Sequence, residues 1–131
     1  MGVKKVIRVE ADVRARMRDM FGVERLFCAE HASGGTEGIP DVNLAFDNRL
    51  WPIELKRGER NKLGHLKCEL RPAQKSVIRR LNRLQVPASV ICGEIGTNDL
   101  FMMSGLAVLQ ERWFNWHPVA NAGEIELLLT F

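Results

Sequence analysis

The chain has 131 residues, 46% hydrophobic and 27% charged, which suits one compact domain with a core of its own and argues against a disordered or collagen-like chain. No apolar run approaches the roughly 18 residues needed to span a bilayer, and no apolar stretch follows the basic start Met1-Gly2-Val3-Lys4-Lys5 as a signal peptide would require. Three widely spaced cysteines (Cys28, Cys68, Cys92) and three scattered histidines speak against a disulfide framework or a zinc knuckle, so a soluble protein of a reducing cytoplasm is expected, with a net charge of +3 that suits a polyanionic partner.

Val6, Val9, Val13, Met17, Met20 and Phe21 recur at helical spacing and predict a helix over 6–21, stopped by Gly22. A strand is expected over 24–30, followed by the turn-rich run from Ser33 to Gly38. Residues 41–46 and 50–56 read as two strands around the turn formers Asp47 and Asn48. The polar, basic stretch Arg57–Lys67 reads as a loop. Pro72 then opens a helix that runs to about Leu84. The unalternating apolar run 87–92 predicts a central strand covered on both faces. A short strand near 99–103, a helix opening at Ser104 and a last strand over 124–131 complete an α/β domain. No repeat or linker divides the chain, so residues 1–131 form one domain.

The chemistry concentrates in Gly38-Ile39-Pro40-Asp41 and Glu54-Leu55-Lys56, whose two acids are separated by twelve residues. If Asp47 and Asn48 form a two-residue hairpin loop, residue 46 pairs with 49, 44 with 51, and Asp41 falls opposite Glu54, roughly 5 Å away. Strand alternation then puts Val42, Leu44, Phe46, Trp51, Ile53 and Leu55 on one apolar face, and Asp41, Asn43, Glu54 and Lys56 on the other. Two carboxylates this close repel unless a cation lies between them, and hard oxygen ligands favour magnesium or manganese over zinc. Such a metal would polarise a phosphate and lower the pKa of a bound water, while Lys56 would orient the attacking hydroxide. An acid followed by x-Lys alone is more often a plain surface pair; the preceding Pro-Asp and the hairpin register favour a site. Pro52 works against the register, because a bulge there would shift it by one residue.

Two further polar residues interrupt apolar faces. Glu10 falls in the stripe of Val6, Val13 and Met17, with Asp12 pointing away; a carboxylate aimed inward needs a partner such as Lys56, although a glutamate at a helix end can escape to solvent. Gln74 shares a face with Val77, Ile78 and Leu81, where it would reach a water or a scissile phosphate, or merely satisfy a backbone group. Candidate DNA contacts are Arg57, Arg60, Lys62 and Lys67, in the stretch that leaves directly after Lys56, with Lys75 on the outer face of the second helix; that stretch is better placed than the helix. Gly34, Gly35 and Gly38 would let backbone amides approach a phosphate, or form a plain turn.

These residues together resemble the VRR-NUC branch of the PD-(D/E)xK nucleases, over a stretch from about Glu10 to Gly93. The likeness includes Val9-Glu10-Ala11-Asp12-Val13, Gly38-Ile39-Pro40-Asp41, Ile53-Glu54-Leu55-Lys56, Leu70-Arg71-Pro72-Ala73-Gln74 and the Val86-Pro87-Ala88-Ser89-Val90-Ile91 strand. The resemblance implies a restriction-endonuclease-like fold, a mixed sheet flanked by helices. It also implies magnesium or manganese on Asp41, Glu54 and the backbone carbonyl of Leu55, with Lys56 as the catalytic lysine and Glu10 and Gln74 in support. Stand-alone members of this branch, many from phages, resemble dimeric Holliday-junction resolvases, which implies branched or duplex DNA as partner, a homodimer, and the cytoplasm of a bacterial or phage-infected cell. The segment Arg57–Glu69 departs from the family's shorter link. A dimer interface would come from Trp113, Phe114 and Trp116, or these would be core aromatics. The competing readings are a DNA-binding module that does not cut and a less selective duplex nuclease.

Overall fold

The computed structural model describes residues 5–28 and 38–130. The turn-rich run before Gly38, with Gly34 and Gly35, lies outside the described residues. The protein is an α/β domain whose seven-stranded mixed sheet is flanked by four helices. In chain order the elements are α1 (Glu10–Phe21), β1 (Leu26–Cys28), β2 (Val42–Phe46), β3 (Arg49–Arg60), β4 (Leu66–Lys67), α2 (Pro72–Arg83), β5 (Ser89–Glu94), β6 (Leu100–Ser104), α3 (Gly105–Leu109), β7 (His117–Val119) and α4 (Ala122–Leu129). The strands lie in the order β1-β2-β3-β5-β6-β7, and β4 pairs with the far end of β3. Only β3 and β5 run parallel; the crossover such a pair needs is supplied by α2.

The β2–β3 hairpin has the expected register. Phe46 lies opposite Arg49, Leu44 opposite Trp51 and Val42 opposite Ile53. Asp47 and Asn48 take φ of 55° and 60°, as a two-residue turn of type I′ demands. Pro52 causes no bulge. It faces Asn43 at a position between the hydrogen-bonded pairs, so its missing N–H would have pointed away from β2. β5 begins its pairing one residue later, at Ile53–Ser89.

Strand alternation sorts the interior into two clusters. Val42, Leu44, Trp51, Ile53, Leu55 and Ile91 pack beneath Val13, Met17 and Phe21 of α1 and Ile125 and Leu129 of α4. Val90 and Cys92 face the other way, against Ile78 of α2 and Ala107 and Val108 of α3. β5 is thus covered on both faces, as its composition predicts. Trp113 and Trp116 stack at 6.3 Å against this second cluster, leaving Phe114 as the exposed member of the aromatic trio.

Four elements differ from the sequence reading. The strand expected over 24–30 begins only at Leu26, because residues 23–25 form a short 3-10 turn after α1, and its positions 29–30 lie outside the described residues. α1 begins at Glu10 rather than residue 6, because the backbone of Ile7 bonds instead to the turn at Gly96 and Thr97. Asp12 then closes the helix start by accepting from the N–H groups of Arg8 and Val9, which holds its carboxyl below the usual range. Residues 57–60 are strand, not loop. β3 runs on to Arg60 and returns through a turn in which the Asn61 side chain accepts from the N–H groups of Leu63 and His65.

Residues 124–130 do not add a strand, and residue 131 lies outside the described residues. Helix α4 occupies Ala122–Leu129, with Asn121 accepting from the Glu124 N–H as its cap and Ile125 and Leu129 buried one turn apart. Asn121→Ala should therefore cost about 1 kcal/mol in a urea unfolding experiment. A cost near zero would mean that packing alone holds this helix.

Candidate metal centre on β3

Asp41 sits at the entrance to β2, one residue before its first paired position, and Glu54 follows the last β2-paired residue of β3. β3 therefore runs on past its partner, which leaves the β2-facing edge of Leu55 open. Asp41 fills it: its Oδ2 accepts from the Leu55 N–H at 3.0 Å. The Leu55 carbonyl leaves the strand on that same edge, since both backbone groups of a strand residue project to one side.

Glu54 and Lys56 point to the α2 side of the sheet, where they are 1% and 7% exposed. Burial of a carboxyl at such a position is costly without partners. Gln74 supplies one, donating from Nε2 to Glu54 Oε1 at 3.2 Å. The other amide atom, Oε1, accepts from the Arg71 N–H at 2.8 Å and so locks the side chain in place at the start of α2. Gln74 is 3% exposed, so its inward aim fits the sequence reading.

The second oxygen, Glu54 Oε2, is buried and no N–H donor among the described residues reaches it. Burial, the hydrogen bond with Asp41 and the charge of Asp41 push the Glu54 carboxyl up to about 10. Burial also acts to raise Asp41. The hydrogen bonds from Glu54 and Leu55 and the charges of Arg14 and Lys56 outweigh it, so Asp41 ends below its ordinary value. Without a cation, then, the pair holds one proton between an ionised Asp41 and a neutral Glu54. Two carboxylates pushed apart in this way are what a bound cation relieves.

The donor set fits a hard divalent ion. Among the described residues no three His, Cys, Asp or Glu side chains form a metal-ligating group. A carboxylate pair and a backbone oxygen, with water completing the shell, is the kind of site magnesium accepts and zinc does not favour. The Cys92 thiol does not compete: it lies opposite Lys56 on β5, and its hydrogen bond with Cys68 together with burial keeps it protonated.

Lys56 ends 3.6 Å from Glu10 Oε1. Glu10 is not in the middle of a buried stripe, because it is the first residue of α1 and its side chain is half exposed. It nevertheless reaches Lys56 from the helix end. Arg14, one turn further along α1, brings its guanidinium to 3.9 Å from Asp41 Oδ1 and was not singled out by the sequence reading. Its spacing of four residues from Glu10 is the signal that places both side chains on one face.

Gly38 holds the Asp41 segment in position. Its φ is +84°, and a Cβ there would strike the Ala73 carbonyl and lie 2.9 Å from the Gln74 nitrogen. The glycine's purpose is therefore close approach to α2, not an open phosphate cradle. Gly58 has the same role farther along β3, where a Cβ would meet the Lys67 carbonyl and lie 2.7 Å from Cys92 Sγ.

A cleft of 530 Å³ opens beside Lys56, bordered by Glu10, Arg57, Arg60, Lys67 and Glu69. The candidate DNA contacts are unequal. Arg60 is tied to Glu94 at 2.9 Å and to the Gly64 carbonyl at 2.7 Å. Arg57 donates to the Arg8 carbonyl, and Lys67 lies across from Glu59 in the β3–β4 pair. Lys62 is exposed on the turn and Lys75 on α2. A more apolar cleft of 350 Å³ near Trp51, Met102 and His117 has no carboxylate in its wall. Compared with known proteins, the chain matches no family model, no curated protein and no solved structure.

Proposed function

We propose that the protein is a metal-dependent DNA endonuclease of the PD-(D/E)xK type that hydrolyses phosphodiester bonds, acting by preference on branched DNA as a Holliday-junction resolvase does. The observation that carries this reading is the buried Glu54 carboxylate, with one oxygen lacking any donor and the other fixed by Gln74, set against Asp41. Asp41, Glu54 and the Leu55 carbonyl would hold magnesium or manganese, which supplies Lewis-acid polarisation of a phosphate and a water of lowered pKa.

The chain's own groups do the remaining work. Lys56, nearly dry and tethered by Glu10, presents a cation to an attacking water or to charge developing on the phosphate. Gln74 keeps Glu54 in one orientation, so the carboxylate needs no rearrangement when it binds. Arg14 neutralises part of the Asp41 charge. The restriction-endonuclease-like form of the sheet, a homodimer for paired incisions and a cytoplasmic setting belong to the same proposal. No helix among the described residues is long and apolar enough to cross a membrane.

The test is cleavage of a labelled four-way junction, a linear duplex and single strands in magnesium, manganese or EDTA. Metal-dependent, symmetric incision near the junction centre is expected, with Glu54→Ala retaining binding and losing cleavage. Binding without cutting in either metal would replace the nuclease by a DNA-binding module. General duplex cutting would leave a less selective nuclease.

A further inference from the structure

The cations of this chain are unevenly placed. Residues 70–93 contain five (Arg71, Lys75, Arg79, Arg80 and Arg83) and no Asp or Glu, so the rest of the chain carries a net −2 against a total of +3. All five side chains are exposed. No ion pair among the described residues involves any of them. By contrast, three cations of β3 and β4 have acids beside them: Lys56 pairs with Glu10 and Arg60 with Glu94, while Lys67 lies across from Glu59. Lys75 borders a cleft that it shares with Glu69 and Glu111, and Arg71 caps the helix start two residues after Glu69, which leaves Arg79, Arg80 and Arg83 as the cations of the helix away from acids.

We propose that the outer face of α2 is the track that holds a duplex DNA arm leading away from the cut site, with Arg79, Arg80 and Arg83 as its phosphate contacts; this rests on the nuclease reading above. The inward face of the helix is committed to Gln74 and Ile78, both buried. A rotation of 100° per residue then turns Arg79 and Arg83 squarely outward, one turn apart, with Arg80 beside them. The track begins at the site itself, since Gln74 holds Glu54 from the first turn of the same helix. From Gln74 to Arg83 the helix climbs about 14 Å, the axial rise of roughly four phosphates on one strand. Arginine suits the task, because its fork donates to two phosphate oxygens at a time.

An acid-free helix face beside a catalytic carboxylate pair also has an electrostatic logic. The pair repels a phosphate backbone, and an attached cationic track offsets this at a distance that leaves the metal cradle undisturbed. In the stretch from Arg57 to Lys67, favoured by sequence position, Arg60 is paired with Glu94, Arg57 is tied to the Arg8 carbonyl and Lys67 lies across from Glu59, which leaves Lys62 on the turn. The burden of binding therefore shifts to α2.

The test is DNA binding by fluorescence anisotropy on a labelled four-way junction with duplex arms and on a labelled 30-base-pair duplex, at several salt concentrations with calcium replacing magnesium, together with single-turnover cleavage of the junction at saturating protein in magnesium. The variant is Arg79→Gln/Arg80→Gln/Arg83→Gln, with Arg18→Gln on the exposed side of α1 as control. The expected result is a salt slope smaller by about 2–3, from roughly 0.9 per phosphate contact. Affinity should fall more than 10-fold near 0.1 M salt, with saturated cleavage unchanged and the control like wild type. Unchanged slope and affinity in the triple variant, with wild type binding and cutting, overturns the track and leaves the nuclease standing. Loss of binding in the triple variant of a wild-type protein that binds but never cuts keeps the track and removes the nuclease. A wild type that binds neither the junction nor the duplex overturns both.

Discussion

Replacing Glu54 by glutamine is expected to raise the thermal midpoint of the metal-free protein while abolishing cleavage. In the fold this carboxyl is shifted up to about 10, from 4.5, chiefly by burial and by its contacts with Asp41. The folded state therefore retains a proton that the unfolded chain has released by neutral pH. Stability from this group is fully present below the unfolded value and is lost as pH rises towards the folded one. The amide of Glu54→Gln would carry no such penalty. Its oxygen can accept from Gln74 as the carboxyl does, and its N–H can donate to Asp41 in place of the proton. The gain should be small near pH 5 and grow to about 1–4 kcal/mol by pH 8, a rise of several degrees in the midpoint.

Manganese should stabilise the wild type and not the variant, and more at pH 8 than at pH 6, because loading displaces the shared proton. Scanning calorimetry of both proteins across pH 5–8, with and without manganese, checks all of these. Equal midpoints at every pH, or equal stabilisation of both proteins by the metal, would remove the carboxylate pair as a cation site.

Gly38→Ala should be the most damaging glycine-to-alanine change among the described residues, since Gly38 alone of them joins a positive φ to a backbone collision. Two costs combine: an L side chain at φ +84°, and a collision with the Ala73 carbonyl and the Gln74 nitrogen, which are backbone atoms and cannot swing aside. Gly22 separates them, because it has φ +76° with nothing within 4 Å of its Cβ position. Gly22→Ala should lose about 1 kcal/mol in urea unfolding, and Gly38→Ala about 2–4 kcal/mol. Only the latter should slow single-turnover cleavage, by about 10- to 100-fold, since it pries the Asp41 segment from the helix that aims Gln74 at Glu54. If both alanines cost the same and neither slows cleavage, Gly38 is merely a turn residue.

Much of the site was legible because it depends on short-range rules. An Asp-Asn loop sets a hairpin register, and the register sets Asp41 beside Glu54 on the face away from Leu44, Trp51 and Ile53. Gln74 could be placed on an inward face because successive turns of α2 keep one period. Where two local signals competed, the outcome depended on distant partners. Val6 and Val9 share a helical period with Val13, yet they lie outside α1 because the Ile7 backbone finds the turn after β5. The polar stretch after Lys56 has little to bury, and it becomes strand because β4 and β5 offer its backbone hydrogen bonds. At the C-terminus, a short apolar run suggested a strand, whereas the Asn121 cap and the sheet face awaiting cover made a helix.

Local pattern alone sufficed for the α/β class, the hairpin, and which carboxylates, lysine and glutamine share one side of the sheet, all consequences of periods two and 3.6. The chemistry open to those residues came instead from packing between distant segments. Burial turned Glu54 from an ordinary acid into one that keeps its proton near neutrality, and close packing holds the Gly38 turn, three residues before Asp41, against α2. Packing also settled which cations are free. Arg60 finds Glu94 across the sheet, 34 residues away, while the arginines of α2 find no acid. Charge pairing follows distance in space, and a one-dimensional pattern carries no record of that distance.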